Sequence, residues 1–132
     1  MKKLLGAAIS AAAIITAPVV ARAADFDGSK ALICATMEAH DCSAGETCLR
    51  VLPQSVGVPK FMRINFANKT VAGPKRTTPI LHMEKGDNHI LLLGTELGFA
   101  WALALNMEDG SLAETVVTRD SAVALFGACT PL

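Results

Sequence analysis

FAWALALNMEDGSLAETVVT, residues 99–118, decides the fold. Phe99, Trp101, Leu103 and Leu105 alternate with Ala100, Ala102 and Ala104, which is the period of a β-strand with its large side chains turned to the core. Asp109-Gly110 is a strong hairpin signal, because both residues tolerate the positive φ of a tight turn, and Leu112 to Thr118 then returns as the partner strand. The alanine face is unusual for a solvated surface, so a covering loop or a tightly packed neighbour is expected over it.

Outward from this hairpin the same pattern repeats. Ile80 to Glu84 and His89 to Leu93 form a second hairpin about the Lys85 to Asn88 turn, and Gly94 to Gly98 turns the chain into Phe99. In Phe61 to Ala67 the residues Phe61, Arg63 and Asn65 alternate against Met62, Ile64 and Phe66. Asn68-Lys69 turns that strand back into Thr70 to Ala72, and GPKRTTP, residues 73–79, reads as a polar loop. Lys30 to Ala39 reads as a first strand, although its Ala, Leu and Met content would also suit a helix. His40 to Glu46 is then a loop, Cys48 to Leu52 a short strand stopped by Pro53, and Ala122 to Cys129 the last strand. About eight short strands imply an all-β domain, an antiparallel meander closed as a small barrel or folded as a two-sheet sandwich.

The first residues belong to a different pattern. Met1-Lys2-Lys3 is basic, Leu4 to Ala17 is apolar, and Pro18 precedes the small residues Val19 to Ala24, the layout of a secretory signal peptide in bacterial style. Ala21-x-Ala23 sets the expected cut after Ala23, which makes residues 1–23 a leader and 24–132 a single working domain. The apolar run is shorter than the roughly 20 residues a membrane span needs. The whole chain has 12 basic and 12 acidic side chains, but the leader holds Lys2, Lys3 and Arg22, so the remainder carries a net charge of about −3. An apolar content of 52% argues against disorder, and the acidic balance against nucleic acid or anionic lipid as partners.

All four cysteines, Cys34, Cys42, Cys48 and Cys129, lie beyond the leader, and an even count in an exported domain reads as two disulfides. The preferred pairing closes CSAGETC through Cys42 and Cys48 and ties the first segment to the last through Cys34 and Cys129. The gaps of seven and five residues do not suit a zinc site, and no Cys-x-x-Cys redox pair occurs.

Chemistry-bearing patterns are sparse. Ser29, Ser43, Ser55, Ser111 and Ser121 lack a nucleophile-elbow context, and no phosphate-cradling glycine loop is present. His82 and His89 flank the Lys85 to Asn88 turn and form a weak metal candidate if they face one another. Asp25-x-Asp27-Gly28 lacks the later ligands of a calcium loop and reads as a turn. Lys75-Arg76 with Lys69 is a basic cluster that a solvated loop explains. With no tyrosine and one tryptophan, a sugar or base-stacking platform lacks material. Should the barrel interior hold an apolar ligand, Phe61, Phe99, Trp101 and Phe126 are the lining candidates; ordinary core packing is the plainer role.

FDGSKALICATMEAHDC (26–42), VPKFMRINF (58–66), RTTPI (76–80), GFAWALAL (98–105) before the Asp-Gly turn, and the ending VALFGACTP (123–131) resemble a group of small exported proteobacterial proteins of uncharacterised activity. That resemblance implies export and paired cysteines and carries no activity, cofactor or catalytic residue. In outline a short disulfide-tied barrel also resembles bacterial periplasmic lysozyme and protease inhibitors, though none of their inhibitory motifs occurs here. The sequence therefore leads to a periplasmic or secreted, non-enzymatic binding or accessory protein acting on another protein, without cofactor. Its contact regions are expected at His40 to Thr47 and Gly73 to Pro79. An apolar-ligand carrier is the alternative, and an enzyme comes last.

Overall fold

The computed structural model describes residues 25–132; the expected leader and its cleavage point lie outside them. The strands are β1 (Leu32–Ser43), β2 (Leu49–Val51), β3 (Phe61–Asn65), β4 (Thr70–Ala72), β5 (Thr77–Pro79), β6 (His82–Lys85), β7 (His89–Glu96), β8 (Phe99–Asn106), β9 (Ser111–Val117) and β10 (Ser121–Pro131). A single 3-10 turn, Pro53–Val56, is the only helical element among the described residues, and no helix there is long and apolar enough to cross a membrane. The sheet is antiparallel throughout, in the order β5-β4-β3-β1-β10-β9-β8-β7-β6, with β2 paired to the far end of β1. It is one curled half-barrel and not a two-sheet sandwich.

The curl brings the two edges of the sheet together in the chain itself. β5 and β6 stand at opposite ends of the strand order, yet only Ile80 and Leu81 separate them. The Ile80 N–H donates to the Lys69 carbonyl at 2.8 Å, beside β4, and the Leu81 N–H donates to the Leu93 carbonyl of β7 at 2.9 Å. Thr78 Oγ1 of β5 adds a bond to the Thr95 carbonyl of β7 at 3.2 Å. The edges thus meet across a seam that side-chain bonds cross, Thr78 to Thr95 and Arg76 to Glu96, without a backbone ladder between β5 and β6.

Three boundaries differ from the sequence reading by more than two residues. Lys30 to Ala39 does enter a strand, but β1 continues through His40 to Ser43, because β10 hydrogen-bonds one side of that segment and β2 the other. A bulge at Met37 breaks the alternation between Thr36 and Glu38, which is why period-two counting from Leu32 fails beyond it. The turn expected over Gly94 to Gly98 shrinks to Leu97-Gly98, both at positive φ (48° and 88°), since Gly94 to Glu96 pair with Phe99 to Trp101. Thr77–Pro79 of the expected loop is strand β5, where Pro79 is tolerated at a sheet edge.

Inside the curl, Leu32, Ile64, Ile90, Leu92, Leu103 and Leu105 pack with Cys34 and Cys129. At the other end Ala39, Val123 and Leu125 pack under Val51, Val56 and Val58, with Val116 touching both groups. Each fully buried aliphatic side chain is worth roughly 1.5–3 kcal/mol. Two glycines are required by close approach. A Cβ on Gly127 would collide with the Ala35 carbonyl at the bulge, and one on Gly94 would collide with the Trp101 ring.

Both expected disulfides form, Cys34–Cys129 between register partners of β1 and β10, and Cys42–Cys48 around the small loop. No free thiol is left among the described cysteines, an arrangement compatible with an oxidising compartment. In the chain-entropy account the bridge spanning 95 residues stabilises by about 4–5 kcal/mol and the one spanning six by about 2–3 kcal/mol. Urea titration should therefore show that the Cys34→Ser/Cys129→Ser pair of substitutions lowers stability more than Cys42→Ser/Cys48→Ser; the reverse order would contradict the assigned role of the long bridge.

Candidate functional site

The parity of the central strands determines what reaches the outer surface. With Cys34 and Cys129 turned inward, Ile33 and Ala35 of β1 and Ala128 and Thr130 of β10 point outward, and they sit opposite Arg63 and Phe61 of β3. These residues border a shallow apolar groove with two troughs. One, of about 440 Å³, lies among Ile33, Phe61, Arg63, Ala72, Pro74 and Lys60. The other, of about 250 Å³, lies among Ile33, Ala35, Phe61, Ala128 and Thr130. Ile33 and Phe61 border both troughs and so form the ridge between them. Phe61 is 53% exposed, and the Lys60 Nζ stands 5.7 Å from its ring centroid.

Further along the same surface, past the Met37 bulge, Phe126 lies opposite Glu38 and is 47% exposed. The His40 ring meets it edge-on with centroids 6.4 Å apart. Glu38 binds His40 Nε2 through Oε1 at 2.7 Å and faces Arg50 Nη2 through Oε2 at 3.5 Å. The His40 hydrogen bond, helped by the Arg50 charge, holds the Glu38 carboxyl below its ordinary pKa. Met37 itself, at the bulge, is 71% exposed.

Each residue expected to carry a site can now be located. Phe99 packs partly buried against the core and Trp101 is buried within it. Phe61 and Phe126 do not join them. Met62 and Ile64 occupy the inward positions of β3, and Leu125 and Cys129 those of β10, so both aromatics must face out. The four therefore do not line one interior. His82 and His89 are not brought face to face either, because the β6–β7 register sets His82 opposite Leu93 while His89 lies beyond the Lys85–Ile90 pair. His82 approaches Glu84 at 3.9 Å and His89 contacts Asn88 at 3.0 Å. Of the expected contact loops, Gly73 and Pro74 border the groove. On the alanine face Ala100 is exposed while Ala102 and Ala104 are half-buried, with Leu93 and Thr115 the cross-strand neighbours of Ala102 and Leu91 and Ala113 those of Ala104.

No family model, curated protein or solved structure matches this chain. The site has to be read from its own chemistry. Among the described residues no group of three or more His, Cys, Asp or Glu side chains is arranged to hold a metal ion. The surface signal missed in the sequence is one of charge distribution. From Thr47 to Met83 there is no carboxylate, while Arg50, Lys60, Arg63, Lys69, Lys75 and Arg76 are all cationic. Counting net charge over the whole chain averages this away.

Among the described residues Glu114 of β9 turns its carboxyl inward, set between Leu103 of β8 and Leu125 of β10. Its Oε2 is enclosed without a hydrogen-bond partner, as are Trp101 Nε1 and Thr36 Oγ1. Burial pushes the Glu114 carboxyl up to about 7. The folded state thus prefers the proton more than the unfolded chain does. Its contribution is full below the ordinary carboxylate pKa of 4.5, falls as pH rises through about 7, and is absent above that. The loss amounts to at most about 3 kcal/mol, because the residue is only half-buried as a whole. Urea midpoints taken between pH 4.5 and 8 should decline in the native sequence and flatten in Glu114→Gln. Parallel pH profiles for the two proteins would rule out Glu114 as the source.

Proposed function

We propose that this protein is an exported, non-enzymatic binding protein of the bacterial periplasm or exterior that acts on another protein through the outer face of its sheet. One observation carries the reading: Phe61 and Phe126, the two exposed phenylalanines among the described residues, stand on the two strands that flank β1, on a stapled outer surface that also carries Ile33, Ala35 and Ala128. Large aromatics held rigidly at a surface are the residues that interfaces use as anchors. The inward rows of the sheet are occupied by the protein's own leucines, isoleucines and Trp101, which favours surface recognition over carriage of an apolar ligand inside. The signal-peptide layout of residues 1–23 and the two disulfides support export.

Site-specific photocrosslinking in cells making the full chain tests this. A benzoylphenylalanine in place of Phe61 or Phe126 should give discrete protein adducts, whereas one in place of Leu97, exposed on the β7–β8 turn, should give none. Adducts that are absent, or equal at all three positions, would remove the outer face as the working surface.

A further inference from the structure

We infer that the segment received by the Phe61 groove is an acidic stretch of partner polypeptide that also carries apolar side chains. The inference rests on the surface-docking reading and specifies its chemistry. Lys60 and Arg63 border the larger trough, both exposed, and neither pairs with a carboxylate among the described residues. Lys75 follows directly on Gly73-Pro74, which form part of the same rim. The other two arginines of the carboxylate-free stretch are engaged elsewhere, Arg50 by Glu38 and Arg76 by Glu96 at 3.0 Å.

The strands that border the groove offer no internal counter-charge. β3, β4 and β5 fall within the carboxylate-free stretch, and β10 contains no charged side chain from Ser121 to Pro131. β1 contributes only Ile33 and Ala35 here, its Glu38 and Asp41 lying beyond the bulge. From Glu84 to Leu132, by contrast, seven acidic residues stand against Lys85 and Arg119. Residues 24–132, which carry a net charge of about −3, thus keep a local positive field over an apolar surface, and such a field attracts and orients a negatively charged partner.

The shape of the groove suits an extended polypeptide. The two shallow troughs share Ile33 and Phe61 in their linings. An extended peptide can seat side chains in both, since its successive side chains point to opposite sides and alternate ones share a side. Apolar side chains on one side would enter the troughs as carboxylates reach Lys60 and Arg63 at the rim. The openness of both troughs likewise suits a chain lying across the sheet better than an enclosed small molecule.

Fluorescence anisotropy on the disulfide-intact protein tests the inference with three probes: a labelled peptide alternating Glu with Leu, its Lys-for-Glu counterpart, and phosphatidylglycerol vesicles. The acidic peptide should bind, and its affinity should fall on the order of tenfold between about 0.05 and 0.5 M salt. Lys60→Glu with Arg63→Glu should weaken it by roughly tenfold or more, and Phe61→Ala by several-fold, while Arg119→Glu on the β9–β10 turn should leave it unchanged. All these positions are exposed, so the core is untouched. Equal binding of the two peptides, or vesicle binding that the acidic peptide does not displace, would overturn the inference. Face-specific crosslinks at Phe61 combined with no preference for the acidic peptide would overturn it and leave the docking reading standing.

Discussion

The pairing of β1 with β10, clamped by the Cys34–Cys129 bridge, is the constraint on which the rest depends. Side chains alternate along a regular strand, so fixing one inward pair fixes both faces of β10 and those of β1 as far as the Met37 bulge. Once Cys34 and Cys129 point in, Leu32 and Leu125 must be core, and Ile33, Ala35, Phe126 and Ala128 must be surface. A slip of one residue would bury Phe126 and expose Leu125. The bridge therefore specifies the outer groove as firmly as it stabilises the core.

That same alternation explains what was legible in the sequence and what was not. The Asp109-Gly110 hairpin, the Phe61–Asn65 strand and the cysteine pairing follow from local patterns that tertiary contacts reinforce. The bulge at Met37 is different, since an inserted residue shifts the parity with no local residue type to announce it. Strand Thr77–Pro79 is hidden by its polar, proline-bearing composition, although its ladder partner is the neighbouring β4; only its bond to Thr95 depends on the curl of the sheet. Phe61 and Phe126 are candidates for an interior lining only under the carrier reading. Their parity, shared with Arg63 in one case and opposed to Leu125 and Cys129 in the other, already pointed outward.

Charge shows a comparable lesson. The balance over residues 24–132 is mildly acidic, yet the fold gathers the carboxylate-free stretch into β2 to β5 on one side of β1 and the acid-rich stretch into β6 to β9 on the other side of β10. Segregation in sequence becomes segregation in space because the strand order keeps neighbours in the chain mostly neighbours in the sheet. Glu114 is the exception that lies inside, and burial there makes it respond to pH rather than to a partner's charge.

The strand order also sets a sequence of events for a chain that emerges from its N-terminal end. β1 is the first strand made, and its two long-range partners are β3 and β10, the last of which ends one residue short of Leu132. Hairpins such as β8–β9 can close as soon as they appear, because their partners are adjacent. β1 cannot complete its pairing until the final strand arrives, and the loop to be closed spans 95 residues at the bridge. The β1–β10 ladder is thus the last part of the sheet to form, after hairpins such as β8–β9 have already closed on their neighbours.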